Sequence, residues 1–267
     1  MPDANLTYDA IAEDYQRLAV PLVFLRPARD LLTALKLSPD ANILDVGAGT
    51  GVTAQAIQEI ENFNYRLVEL DISLEMLKAS SSSSSVSKVV GQVPGLPFRD
   101  NSFEAVISSF VMSHVFKYQE AIVDMVRVLK PEGKIGIAAW GSEKHKYSDM
   151  WDKTSESFVS KDLIEKIVSE FMPSREIFTN PENIKGLLEK AGVQNIEILK
   201  SETIVTTTIA DYIEMKGVML QGRFIKSRIG KNGWSDFLAL LTKHFDAKFS
   251  DPIEYPSRAH LVVGSKS

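Results

Sequence analysis

The sequence has no cysteine, so disulfides, a thiolate nucleophile and cysteine-ligated metals are all excluded. It also has few histidines, four in 267 residues, and no clustered set that would announce a metal site. No apolar run approaches the ~20 residues needed to cross a bilayer. The start, "MPDANLTYDA", lacks the basic-then-apolar order of a signal peptide, so the expectation is a cytoplasmic protein. An excess of positive charge is missing too. A formal charge of -5 argues against a broad phosphate-binding face, and nucleic acid is not an expected partner. There is no internal repeat, and the one low-complexity stretch is the serine run from Ser80 to Ser85, which reads as a solvated connection.

What remains is ordinary globular material with 44% hydrophobic residues, enough to bury a full core. Ile11, Tyr15 and Leu18, then Ala28, Leu31, Leu32 and Leu35, recur at helical spacing and predict two amphipathic helices. "ANILDV", "YRLVEL", "SKVVGQ", "EAVISSF" and "IGIAAW" read as strands alternating with helical stretches, and "KPEGK" closes the helix before the last of them. Several are apolar throughout, which implies a parallel sheet covered on both faces, an α/β fold. Beyond Trp140 the pattern loosens. Residues 142–180 look helical, "NPENIKGLLEKAG" is a helix with an asparagine cap, "VQNIEILKSETIVTTT" a strand, 209–245 helical again and "RAHLVVGSK" a final strand.

The stretch "NILDVGAGTGV" is strand, glycine turn and helix start. In an open parallel sheet, ligands sit beyond the carboxyl ends of the strands at such a turn. Gly47 and Gly49 let the backbone turn and a ligand touch it, and Gly51 lets the helix pack close. The dinucleotide fingerprint is Gly-x-Gly-x-x-Gly; here the third glycine comes one residue early, with Val52 in the fingerprint position. Asp71 ends the second strand, where it can accept from both hydroxyls of a ribose or cap the helix "ISLEML".

Four pieces, "LDVGAGTG", "ELDISLEML", "GLPFRDNSFEAVISSFVMSHV" and "RVLKPEGKI", lie in one order between Ile43 and Ile135. In these the chain resembles the class I S-adenosylmethionine-dependent methyltransferases, in particular the small-molecule branch of ubiquinone and menaquinone biosynthesis. The resemblance covers the first half well and implies a Rossmann-like, doubly wound, seven-stranded, mostly parallel sheet. It implies one domain over 1–267, with N-terminal cap helices in 1–38, a cofactor-binding core in 39–141, and helical insertions in 142–180 and 209–245 forming an acceptor lid.

The resemblance further implies that Asp45, Gly47, Ala48, Gly49 and Gly51 lie at the methionine part of S-adenosylmethionine, with Asp71 at the ribose. Ile72 and Met76 would flank the adenine, Gln92 and Val93 would read its edge, and Ser109 would receive the amino group through its backbone. Tyr8 and Tyr15 would close over the cofactor. Two departures stand out: Gln92 replaces the usual acid, and "KPEG" replaces Lys-Pro-Gly-Gly, with Gly133 left to permit the turn.

The chemistry implied is in-line displacement of an activated methyl group, leaving S-adenosylhomocysteine and needing no metal. A base helps only if the acceptor must lose a proton. His114 is the candidate, with packing at a helix head as the alternative. Phe110, His114 and Trp140 are expected to line the acceptor pocket, with His145 nearby, whereas His244 and His260 look peripheral. Phe158, Phe171, Phe178, Met215, Met219 and Phe224 supply apolar surface for a lid or for the core beneath it. There are three rivals, the first two disfavoured by the place of their motifs in the chain. Tyr212 and Lys216 match the Tyr-x-x-x-Lys of short-chain dehydrogenases that use NAD; a nucleic-acid methylase would want a proline-rich turn where "SSFV" stands; and a noncatalytic cofactor binder could keep the same loop.

Overall fold

The computed structural model describes residues 6–60, 64–80 and 85–267. The start of "MPDANLTYDA" and the middle of the serine run lie outside the described residues. Seven strands form one sheet in the order β3-β2-β1-β4-β5-β7-β6. They are β1 Asn42–Val46, β2 Arg66–Asp71, β3 Val86–Val90, β4 Phe103–Ser109, β5 Leu129–Trp140, β6 Val193–Thr207 and β7 Ile253–Lys266. The first five are parallel, and β7 runs antiparallel between β5 and β6. The doubly wound, mostly parallel sheet anticipated from the sequence is therefore the one observed.

Why these residues make these elements is mostly a matter of burial. β1 is Ile43, Leu44, Asp45 and Val46 in sequence, all buried, because both of its neighbours and both helical layers cover it. Helices Leu25–Leu35 and Val52–Gln58 cover one face through Leu31, Leu35, Ala54 and Ile57. Helices Tyr118–Val128 and Pro181–Lys190 cover the other through Ile122, Met125, Ile184 and Leu188. Asn180 caps the latter helix as read, its side-chain oxygen accepting from the Glu182 amide at 3.1 Å.

Two local expectations need correcting. The N-terminal pair of amphipathic helices is one nearly continuous helical path from Tyr8 to Leu35, and its middle, Tyr15–Phe24, is a π-helix containing Pro21. Proline has no N–H to donate, so the ladder widens around it, and the Leu25 amide reaches back five residues to the Val20 carbonyl. "KPEGK" does not precede the fifth strand but lies inside β5 as an irregularity, where the pairing jumps from Phe103 with Leu129 to Ala105 with Lys134. Glu132, at φ +64°, takes the left-handed conformation there. Gly133 matters for space instead, since a Cβ would stand 2.8 Å from the Lys130 carbonyl oxygen.

The insertions after β5 build a core of their own. Helices Lys146–Glu156, Ile209–Val218 and Leu220–Asp246 bury Trp151, Tyr212, Phe237 and Phe245 against each other and against Leu18 and Phe24 of the N-terminal segment. Trp151 is fully buried, with its ring edge-on to Phe237 at 5.2 Å. Trp151→Ala is expected to cost about 3–5 kcal/mol in urea unfolding; a loss below about 1 kcal/mol would mean that these helices do not share the cooperative core.

Candidate active site

The strand order reverses between β1 and β4, the place where an open parallel sheet leaves a crevice at its carboxyl edge. A cavity of about 940 Å³ occupies it. Its floor is the turn after β1. Gly47 and Gly51 sit at φ +75° and +81°, and each is also tight for space: a Cβ on Gly47 would meet Val111 at 2.3 Å, and one on Gly51 would meet Ser80 Oγ at 2.2 Å. The loop is stitched to β2, because the amides of Gly47 and Ala48 both donate to the Leu70 carbonyl, at 2.7 and 3.0 Å.

Asp71 is held by two backbone donors, Gly49 N at 2.8 Å to Oδ2 and Ser73 N at 2.8 Å to Oδ1. Each oxygen keeps a further acceptor site for a ligand hydroxyl. The helix that follows, Leu74–Ala79, is capped by Ser73 and not by Asp71, the Ser73 hydroxyl accepting from Met76 N at 3.1 Å. This frees Asp71 from the capping role open to it in the sequence.

Deeper in, buried polar atoms without partners gather in the cavity wall: both carboxylate oxygens of Asp45, Thr50 Oγ1 and Ser109 Oγ. Burial pushes the Asp45 carboxyl up to about 7, against a small opposing effect of the neighbouring Thr53 hydroxyl, which does not reach hydrogen-bond geometry. Such a cluster of unsatisfied acceptors calls for a ligand that brings its own donors. Gly49 leaves open space where a Cβ would be, so nothing obstructs that approach.

The opposite end is aromatic. Tyr8, Tyr15, Phe24, Phe110 and Phe171 line it together with His114. Phe110 follows β4 at φ +63°, a conformation that costs a bulky side chain energy and turns its ring onto Trp140, stacked at 4.0 Å between centroids. His114 follows in a short turn. Its Nδ1 lies 2.9 Å from the Phe171 carbonyl, which can only accept, so the proton is on Nδ1 and Nε2 is bare. The Tyr8 hydroxyl therefore donates to Nε2, at 3.3 Å. Burial lowers the His114 pKa and favours this neutral ring.

Most of the residues marked in the sequence meet at this cavity: Tyr8, Tyr15, Asp45, Gly47, Ala48, Gly49, Asp71, Ile72, Met76, Gln92, Val93, Ser109, Phe110 and His114. Ile72 is on its rim, 71% exposed. Gly51 and Trp140 do not line it. Gly51 faces Glu69 and Ser80 on the far side of the turn, where it lets the helix approach β2, and Trp140 lies behind Phe110. His145 is elsewhere, stacked on Tyr255 at 4.5 Å and capping its own helix. Tyr212 and Lys216 do not line the cavity either. Tyr212 is buried in the aromatic cluster and Lys216 lies over the Trp151 ring, so no dehydrogenase pair faces this site.

The expected lid is also relocated. Of the two insertions only Phe171 reaches the cavity wall, because their apolar faces are spent on one another. The cover comes from residues 6–24. It is tied down by Asp9, which accepts from the Ser73 hydroxyl at 2.5 Å, and by Arg223, which donates to the Thr7 carbonyl at 2.7 Å. Sequence reasoning missed Asp9, Thr50 and Arg223. Thr50 stood inside the glycine loop and was legible, whereas nothing in the sequence relates Arg223 to Thr7.

Residues 44–137 match the family described as a methyltransferase domain. In sequence, part of the chain is similar to demethylmenaquinone methyltransferases. That of Renibacterium salmoninarum is 36% identical over 111 residues, 41% of this chain and 46% of the relative. That of Corynebacterium urealyticum is 32% identical over 141 residues, 51% of this chain and 58% of the relative. The chain thus spans about half the length of the curated relatives it matches. Among solved structures, phosphoethanolamine N-methyltransferase 2 of Haemonchus contortus in complex with S-adenosyl-L-methionine aligns with TM-score 0.58 at 18% identity, over 97% of this chain and 57% of that one. The YcgJ protein of Bacillus subtilis aligns with TM-score 0.57 at 16% identity, over 90% and 98%. These likenesses establish the fold. Among the described residues no group of three or more His, Asp or Glu side chains could hold a metal, and no helix is long and apolar enough to cross a membrane.

The buried Asp45 has a consequence for stability. Its folded value of about 7 lies above the ordinary 3.8, so between those values the native state binds the extra proton and stability falls as pH rises, levelling off above pH 7. Asp45→Asn removes this dependence. Its stability gain over the parent is expected to grow between pH 4 and 7 to a few kcal/mol in urea titrations; a difference that does not vary with pH would contradict the assignment.

Proposed function

We propose that this protein transfers a methyl group from S-adenosylmethionine to a small acceptor with an aromatic or otherwise apolar body. The observation that carries the reading is the division of one cavity into an acid-lined end, with Asp45 and Asp71, and an aromatic end with a bare imidazole nitrogen. When bound, the cofactor supplies a methyl group already activated by its sulfonium. Asp71 accepts from the ribose hydroxyls while the Gly49 and Ser73 amides hold it in place. Asp45, Thr50 and Ser109 take up the donors of the amino-acid end, and Met76 and Ile72 flank the base. Binding an ammonium beside Asp45 favours its ionised form, so proton release accompanies binding below pH 7.

At the other end Phe24, Phe110 and Phe171 exclude water and orient a flat acceptor, and the Tyr8 hydroxyl gives its proton to Nε2 of His114 as it takes one from an acceptor hydroxyl or acidic carbon. The acidic end disfavours the pyrophosphate of NAD, which ordinarily sits on a glycine loop free of buried carboxylates at its centre. The names of the relatives support a quinone-like acceptor for this chain. A cytoplasmic location and a small-molecule partner belong to the same proposal.

Calorimetry with S-adenosylhomocysteine and with NAD tests the cofactor. The expected outcome is binding of the first alone; tight NAD binding with no response to S-adenosylhomocysteine would overturn the reading. Asp71→Ala is expected to weaken S-adenosylhomocysteine about ten- to a hundredfold, as loss of charge-assisted hydrogen bonds worth roughly 1.5–3 kcal/mol requires. His114→Ala should leave that affinity nearly unchanged and lower turnover on hydroxylated aromatic acceptors by about 10²-fold or more. Binding without S-adenosylhomocysteine formation across an acceptor panel would identify a noncatalytic binder.

A further inference from the structure

Arg223 lies outside the cavity wall but directly behind it. The side chain is on helix Leu220–Asp246, only 6% exposed, between the buried Phe224 and Ile225 on one side and the N-terminal segment on the other. Its guanidinium carbon stands 5.1 Å from the centre of the Tyr8 ring, and one terminal nitrogen donates to the Thr7 carbonyl at 2.7 Å. Nε has no partner. The groups that bear on it electrostatically are the phenols of Tyr8 and Tyr15, not a carboxylate. A buried cation without a counter-ion is costly, and packing alone would be served better by an apolar side chain of the same length.

What Arg223 gains instead is a hold on two consecutive residues. A planar guanidinium can bond a carbonyl with one edge while presenting its face to a ring, a combination an ammonium cannot reproduce. The residue so gripped, Tyr8, carries the hydroxyl that meets Nε2 of His114, and its ring stands edge-on to the imidazole at 5.7 Å. The next residue, Asp9, is bonded to Ser73 beside the ribose-facing carboxylate. Thr7, Tyr8 and Asp9 are thereby pinned from three directions, with Arg223 pulling from the late helices.

We propose that Arg223 is a positioning residue: by gripping the Thr7 carbonyl and the face of Tyr8, it sets the Tyr8 hydroxyl against His114 and fixes the acceptor end of the cavity. It touches neither cofactor nor acceptor and acts only through Tyr8. The link to methyl transfer rests on the function proposed above; the grip on Tyr8 does not.

The test compares the ligand-free full chain with its Arg223→Met, Arg223→Lys and Tyr8→Phe variants, by amide exchange and by the ¹⁵N signals of His114, assigned by their loss in His114→Ala. In Arg223→Met, exchange over Tyr8–Ile11 is expected to rise at least about tenfold, with helix Leu220–Asp246 and the sheet unchanged and the His114 nitrogens shifted. Arg223→Lys should recover part of both effects, since it keeps the cation and loses the fork. Tyr8→Phe should leave exchange as it was and shift the His114 signals alone. Unchanged exchange with unchanged His114 signals in Arg223→Met overturns the proposal, as does loosening spread evenly over the late helix in both Arg223 variants. Should Arg223→Met fail to fold, Tyr8→Leu decides: it removes the gripped ring from the other side, and parent-like exchange over Tyr8–Ile11 there would equally overturn it. Calorimetry with S-adenosylhomocysteine on the parent chain is read separately, so failure of the methyltransferase reading leaves this comparison intact.

Discussion

The site depends on how closely the turn after β1 is bound to the end of β2. Two consecutive amides, of Gly47 and Ala48, converge on one carbonyl, that of Leu70, and the next available amide, of Gly49, is taken by the side chain of Asp71. Such convergence is open only to a backbone that can turn left-handed at successive alternate residues, which is why glycine recurs there. Everything else in the cavity is referred to this anchor. It leaves Asp45 at the bottom of a dry recess, brings Asp71 to the rim, and sets the height at which the N-terminal segment must cross.

β1, β2 and β4 were legible in the sequence because they are short, largely apolar runs, and the helix before β6 because of its asparagine cap, Asn180. The proposed cofactor end follows the ends of four strands, β1 to β4, so spacing along the chain maps directly onto proximity. Gly51 and Trp140 mark the limit of that mapping. Both stand beside the site in sequence, yet the pleat and the turn point them away from it, toward Ser80 and Phe110 respectively.

The aromatic end, the proposed acceptor site, was much less legible. It is assembled from Tyr8 and Phe24, from Phe110 and His114, from Phe171, and at second remove from Arg223, so its geometry follows from packing between distant elements. Periodicity identified the late helices but not what they cover. Their apolar stripes satisfy each other around Trp151 and Phe237, and a stripe read alone does not say whether it faces a partner helix or a ligand. The π-helical stretch was hidden likewise, since Pro21 in a helical pattern signals a break more often than a widening.

The position of β7 affects how the sheet can be assembled. It lies between β5 and β6 and pairs with both, yet it follows both in the chain, with the late helices in between. β6 therefore has no partner of its own until β7 arrives to join it to the rest, and until then this long strand, carrying the exposed Ile204, is open on both edges. During that interval the strand is available to any other extended chain, including a second copy of itself. Its Glu197, Lys200 and Glu202 put charge on the waiting strand and discourage such pairing until the proper neighbour is present.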